Sequence, residues 1–389
     1  MSRRRGTLAA LGVLAIALAV GGCGKDSAGT VASGPNLPIT ITPAADTAEV
    51  MPDAHVTVST GATALTHVDV TDPDGNYLSG SFTDGRVRWS STTPLAPATK
   101  YTVSVAAIDS RGRTGTRTST FRTADMAGTQ SLLVDNVQPG DGAQVGIAYP
   151  LIVNFNHQVK DRKAVTDALA VETFPHVDGA WFWIDPATVD YRPEHFWPAG
   201  TSVSLHASLA GLDVGNNMWG TKNYTSHFTV GRAQVIYADV AGDEMRVERD
   251  GDTVATFSFS SGKPGWETRD GIKVISERIT DKTWTNDAID APEHFVLHSQ
   301  WAMRMTDSGE FIHDAPWNAR HMGADNASHG CIGLLTEDMS WLWDNTLIGD
   351  PVIVTGSPRP YVGIDNRIQD WNVDWDKWIG NNLDLSDHG

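Results

Sequence analysis

The feature that most constrains the fold is a strand-and-turn pattern that runs twice, with an offset of roughly 100 residues. Short alternating runs such as His55-Val56-Thr57-Val58-Ser59, Val68-Asp69-Val70 and Tyr101-Thr102-Val103-Ser104-Val105 are separated by Asp72-Pro73-Asp74-Gly75, Asp84-Gly85 and Ser110-Arg111-Gly112. Apolar and polar residues alternating with period two describe half-buried strands, and the Asp, Pro and Gly clusters supply the turns. The second copy repeats the marks. Pro139-Gly140-Asp141-Gly142 echoes the stretch around Pro43, Pro198-Ala199-Gly200-Thr201 matches Pro97-Ala98-Thr99, and Phe228-Thr229-Val230 closes it as Phe121-Arg122-Thr123 closes the first. Two tandem immunoglobulin-like β-sandwiches follow, over 38–125 and 126–232. The second holds Trp181, Trp183, Trp197 and Trp219. Tryptophan stacks on sugars, but it more commonly fills cores and interfaces, so a spacer role is expected for both modules.

The chain has 389 residues and a net charge of −18. That charge argues against nucleic acid, whose phosphates require a basic face. The only cysteines, Cys23 and Cys331, lie at opposite ends of the sequence, which disfavours a disulfide or a four-thiolate zinc site. Residues 1–23 read as an export signal: Arg3, Arg4 and Arg5 precede an apolar run from Leu8 to Val20, too short for a spanning helix of about 20 residues. The run ends in Val20-Gly21-Gly22-Cys23, similar to a bacterial lipobox, which implies that Cys23 is lipidated and anchors the exported protein to the outer face of the membrane. Residues 24–37, rich in Gly, Ser and Ala, read as a flexible tether.

After Arg232 the pattern restarts as a third, mostly β domain over 233–356, with a Trp-rich extension over 357–389. Asp250-Gly251 marks a hairpin. One helix is expected after Thr336, with Thr336 and Asp338 as caps and Met339, Leu342, Trp343 and Thr346 at helical spacing. The chemistry concentrates here. Glu310-Phe311-Ile312-His313 is a strand ending in histidine, and Cys331 follows 18 residues later in Ser328-His329-Gly330-Cys331. A thiol becomes a strong nucleophile on losing its proton, and a nearby imidazole can lower its pKa or take that proton. Gly330 permits a tight turn that can aim amides at a substrate carbonyl. Histidine before cysteine is the reverse of the papain order.

His313 followed after a loop by Ser-His-Gly-Cys resembles the L,D-transpeptidase (YkuD) catalytic domain. The whole layout resembles the actinobacterial, mycobacterial-type lipoprotein members: an anchor, two immunoglobulin-like modules, the catalytic domain and a tryptophan-rich tail, with His313-Asp314-Ala315-Pro316-Trp317 and Asp370-Trp371-Asn372 among the matching runs. The resemblance implies that Cys331 attacks a peptide carbonyl to form a thioester, with His313 as base and the Asp314 carbonyl holding its ring. Ser328, His329 and Gly330 would shape the pocket, with the Gly330 and Cys331 amides as oxyanion donors. Trp317, Asp307, Gly333 and Met303 would meet substrate. The donor would be a tetrapeptide stem of peptidoglycan, the acceptor a diaminopimelate side-chain amine, and the product a 3→3 cross-link. No metal or cofactor is implied, and carbapenem-type β-lactams are expected to acylate Cys331.

This sequence departs from the family pattern at Gly333, where Asn or Arg is usual, and at Asp307, where relatives carry tyrosine. Both changes point to altered substrate geometry or weaker β-lactam acylation. Other readings stay open at this stage. They are a carboxypeptidase or endopeptidase that passes the same acyl-enzyme to water, and a weakly active wall-binding lipoprotein. His329 as a second base and His321 as a lid or catalytic residue are lesser alternatives. A zinc site built on His313, His321, His329 and Cys331 fits no common ligand spacing. A sortase would need an arginine on a strand after the cysteine; the first is Arg359.

Overall fold

The structure, a computed structural model, describes residues 32–33, 37–61, 64–126, 130–288, 292–361, 363, 366 and 368–380. The segment read as an export signal, Cys23 and the end of the tail lie outside the described residues.

The first module is a sandwich of two four-stranded sheets. Its Lys100–Ile108 strand buries every second side chain, including Tyr101, Val103, Val105 and Ala107, as period-two alternation demands. The 24–37 segment is not wholly a tether: Ala32–Ser33 pairs antiparallel with Arg117 and Thr116, extending one sheet. The second module has two four-stranded sheets of the same kind and a small two-stranded ribbon. The repeated Pro-Ala motif has the same structural meaning in both copies. Ala98 and Gly200 each take a positive φ, and their amides donate to Ala124 O (2.9 Å), just past the first module's final strand, and to Val230 O (3.0 Å), the last residue of the second module's. A short helix, Arg162–Asp167, capped by Asp161 through Ala164 N, interrupts the second copy. Trp183, Trp197 and Trp219 are buried, and the Trp197 indole donates to Tyr149 O at 2.9 Å, so they build the module rather than face solvent.

The third domain stacks a five-stranded sheet and a four-stranded sheet around a core that includes Ile236, Val247, Ile275, Met303, Ile312, Ile332 and Leu342. The hairpin at Asp250-Gly251 forms as expected, both residues having positive φ, with Arg249 facing Asp252 across the turn. The expected helix spans Thr336–Asn345 and buries Met339 and Leu342. Its cap differs from the sequence reading: Leu335 holds the N-cap position with no side-chain bond, and Thr336 is already helical.

The second module and the third domain share one hydrophobic core, because Val274, Ile368 and Trp371 pack into the cluster built by Leu151, Trp183 and Phe228. Gly146 lies so close to the third domain that a Cβ there would sit 2.2 Å from Asp350 N. The tail clasps both partners. Trp371 and Trp378 donate to Ala148 O (2.7 Å) and Ala180 O (2.9 Å) of the module, while the Asn372 amide brackets the Ile272 backbone of the third domain.

Candidate active site

His313 and Cys331 come together because two strands run side by side. Phe311–Asp314 and Ile332–Leu334 pair in parallel, with Ile312 opposite Ile332 and His313 opposite Gly333. Cys331 thus emerges at the strand start, just before the paired register. A cavity of about 430 Å³ opens onto both side chains, with Trp284, Phe295, Trp317, Ser328 and His329 also lining it.

His313 is buried, and its orientation is fixed by hydrogen bonds. Nδ1 lies 2.9 Å from Asp314 O and 3.1 Å from Ser299 Oγ. Trp284 lies against one side of the ring at 4.6 Å and Trp317 stacks at 5.9 Å. Burial holds the imidazole below its ordinary pKa, partly offset by the Asp314 carbonyl and carboxylate. Cys331 is partly accessible from the cavity, and its Sγ lies 3.5 Å from Gly309 O. Burial pushes the thiol up to about 12, with Glu310 adding to the rise and the Phe311 amide and the lysines at 273 and 282 opposing it. The lowered thiol pKa suggested by sequence is therefore absent from the resting site. Thiol and imidazole both stand neutral at pH 7, and the proton has to move as the carbonyl is attacked.

Behind Cys331 a polar network sets the loop. Thr268 Oγ1 donates to Gly330 O (2.9 Å), Ser328 Oγ donates to Cys331 O (2.6 Å), and the Gly330 amide donates to Ser328 Oγ (3.1 Å). The Gly330 amide is thus engaged, which removes it from the expected pair of oxyanion donors. Gly330 itself has φ +118°, a conformation that favours glycine. His329 is clamped between Phe295 and Trp266 at 5.4 and 5.1 Å, with Nε2 3.2 Å from Glu293, so it is a wall of the pocket and not a second base for Cys331. His321 is a loop staple: Nε2 accepts from Arg320 Nε and Nδ1 meets the Asp325 carboxylate at 2.9 Å.

Four residues were expected against substrate. Trp317 and Asp307 line the cavity. Met303 does not; it is fully buried in the domain core. Gly333 does not either: its backbone bonds to Ser260 on both sides, and a Cβ there would meet Ala315 at 3.0 Å. The cavity also holds residues that the sequence reading passed over. Lys282 sits above Trp284 and Phe311, and Arg304 lies over Phe311 while bound to Glu277 at 2.7 Å. Ser299 and Trp284 lie on the Val296–Arg304 and Glu277–Thr285 strands, and only pairing across the sheet brings them to His313. The sole sequence trace of this is a polar residue, Ser299, at an inward position of a strand.

Comparison with known proteins agrees with this fold. Residues 233–354 match the family described as the L,D-transpeptidase catalytic domain, and residues 47–213 match the bacterial Ig domain. The chain is 35% identical to L,D-transpeptidase 5 of Mycobacterium tuberculosis, over 97% of this chain and 84% of that protein. It is 33% identical to L,D-transpeptidase 2 of the same species, over 85% and 81%. Among solved structures, the L,D-transpeptidase LdtMt1 in complex with imipenem aligns with a TM-score of 0.50 at 30% identity, covering 57% of this chain and 98% of that one. Fold and sequence together define a cell-wall transpeptidase built as immunoglobulin-like modules carrying a YkuD domain. The chain belongs to the L,D-transpeptidase family.

Proposed function

We propose that Cys331 is the nucleophile of this L,D-transpeptidase and His313 its general base, in a cysteine acyl transfer that forms 3→3 cross-links. The supporting observation is the parallel pairing that opens both side chains onto one aromatic cavity, with His313 held through Nδ1 so that Nε2 is the free nitrogen. Sγ attacks the carbonyl carbon before the terminal D-alanine of a tetrapeptide stem while His313 takes the thiol proton. The tetrahedral intermediate collapses, His313 returns the proton to the departing D-alanine nitrogen, and a thioester remains on Cys331. The diaminopimelate side-chain amine of a second stem then attacks, gives a proton to His313, and releases the thiol with a new amide bond. Aromatic walls at Trp284, Phe295 and Trp317 keep the thioester from water. Carbapenems enter the same path as acyl donors, in keeping with the imipenem complex of a relative.

The N-terminal segment carries the rest of the proposal. Export through residues 1–23 and lipidation of Cys23 would hold the chain on the outer face of the membrane, with the two modules as a stalk reaching into the wall. Labelled palmitate incorporation that disappears in Cys23→Ser tests the anchor. For the reaction, purified protein is incubated with a disaccharide-tetrapeptide. A dimer lacking one D-alanine supports transpeptidation, and tripeptide monomer as sole product would assign hydrolysis instead.

A further inference from the structure

We propose that Ser299, backed by Trp284, is a positioning residue that fixes the proton of His313 on Nδ1 and steadies the imidazolium formed during acyl transfer. The inference rests on the assignment of His313 as the base.

Ser299 is buried, and its hydroxyl has three neighbours. Trp284 Nε1 donates to Oγ at 2.8 Å. Oγ donates its single proton to Asp314 O at 2.7 Å. His313 Nδ1 is the third, at 3.1 Å from Oγ and 2.9 Å from Asp314 O. The indole can only donate and the carbonyl can only accept. With the hydroxyl proton committed to the carbonyl, the side of Oγ that faces Nδ1 presents a lone pair. An unprotonated Nδ1 would then face two oxygen lone pairs in a buried site. The closed set is satisfied only when Nδ1 carries the hydrogen, which leaves Nε2 bare to receive the Cys331 proton. When His313 becomes cationic, both acceptors gain a charge-assisted bond. Trp284 therefore orients the hydroxyl as well as covering the ring, and it ties the Glu277–Thr285 strand at the cavity wall to the base.

Charged groups lie on the elements packed around His313. The Glu277–Thr285 strand offers Lys282, above Trp284 at 5.4 Å, and the Val296–Arg304 strand offers Arg304. Asp307 and His329 line the same cavity, and Arg320 and His321 lie on the segment after Trp317. On the same strand as His313, the Asp314 carboxylate accepts from Trp301 N at 2.9 Å, and Glu310, just before that strand, is buried. Nδ1 is met by the Asp314 backbone carbonyl and the Ser299 hydroxyl.

The test is the pH dependence of Cys331 alkylation by iodoacetamide, a small uncharged probe, in the full chain. The wild-type rate falls on the acid side as His313 protonates. Ser299→Ala is expected to lower the plateau on the order of 10-fold, as loss of one hydrogen bond to a charged group implies. It also moves the acid midpoint to lower pH, because the imidazolium has lost an acceptor. Ser299→Thr, which keeps the hydroxyl, restores the midpoint. Trp284→Phe shifts the midpoint in the same direction and adds no shift in the Ser299→Ala background. A plateau that drops with an unmoved midpoint would indicate packing alone and overturn the proposal. Should Ser299→Ala not fold, an unmoved midpoint in Trp284→Phe overturns it equally. His313→Gln separates the two levels: if the wild-type pH profile survives that change, the base assignment itself fails and Ser299 loses its role with it.

Discussion

The ammonium of Lys273 lies 3.0 Å from the carboxylate of Glu310, and both side chains are buried. Arg269 joins from its amide, which donates to Glu310 at 2.9 Å, and from its guanidinium at 3.4 Å. Glu310 sits one residue before the strand that carries His313, and Thr268, beside Arg269, holds the Gly330 carbonyl. A buried charge pair is therefore the floor on which the Cys331 loop rests.

Such a pair is costly to break and cheap to replace. Lys273→Met leaves Glu310 with less compensation and is expected to destabilise the domain by about 3–5 kcal/mol, most of which the double variant Lys273→Met/Glu310→Met recovers. Chemical denaturation of the three proteins checks this. Equal losses in the single and double variants would show that the pair stabilises in its own right.

The resting thiol is expected to be protonated. At about pH 8 wild type and Cys331→Ser should show the same thiolate ultraviolet absorbance, with the difference appearing only as pH climbs toward 12, because burial raises the thiol. The acylation rate should hold through neutral pH and decline on acidification only below the ordinary imidazole range of about 6.5, since burial lowers His313. A thiolate signal at neutral pH would mean a preformed ion pair instead.

Stability should run against pH at the junction of module and tail. Asp190 and Asp370 are buried in one cluster with Arg192, and burial raises both carboxyls above their ordinary range. A carboxyl whose folded pKa exceeds its unfolded one stabilises most below the unfolded value, and that contribution disappears as pH rises through the folded value. The melting temperature is thus expected to fall as pH rises above the ordinary carboxyl range of about 4 and this pair loses protons in the folded state. Asp190→Asn, a mimic of the protonated partner, should flatten that decline. Identical slopes in the two proteins would remove the pair from the account.

The clasp of the tail should make the second module and the third domain unfold together. Trp378 is fully buried, with its ring 4.8 Å from Phe182. Trp378→Ala is expected to cost about 3–5 kcal/mol. Calorimetry should then resolve two transitions where wild type shows one for this part of the chain, and a single shifted transition would argue that the shared core alone couples them.

Sequence carried much of this architecture because its signals were local. Period-two alternation, the Asp250-Gly251 turn and the doubled Pro-Ala motif each act within a few residues. Cys331 and His313 were legible because the resemblance joins them through a motif and a spacing. What surrounds them was not. Ser299 and Trp284 reach His313 through sheet pairing over 14 and 29 positions, and no short pattern records that. Met303 looked available for substrate because strand alternation alone does not say which face is the core. The thiol pKa went the other way because a histidine nearby in sequence says nothing of how deeply the sulfur is buried.

The most direct test of the central claim is the intact mass of the protein after brief exposure to a disaccharide-tetrapeptide donor. Wild type should gain the mass of the donor less D-alanine, on the peptide containing Cys331, and Cys331→Ala should gain nothing and form no cross-links while melting as wild type does. Cross-linked product from Cys331→Ala, or an adduct on any other residue, would contradict the account.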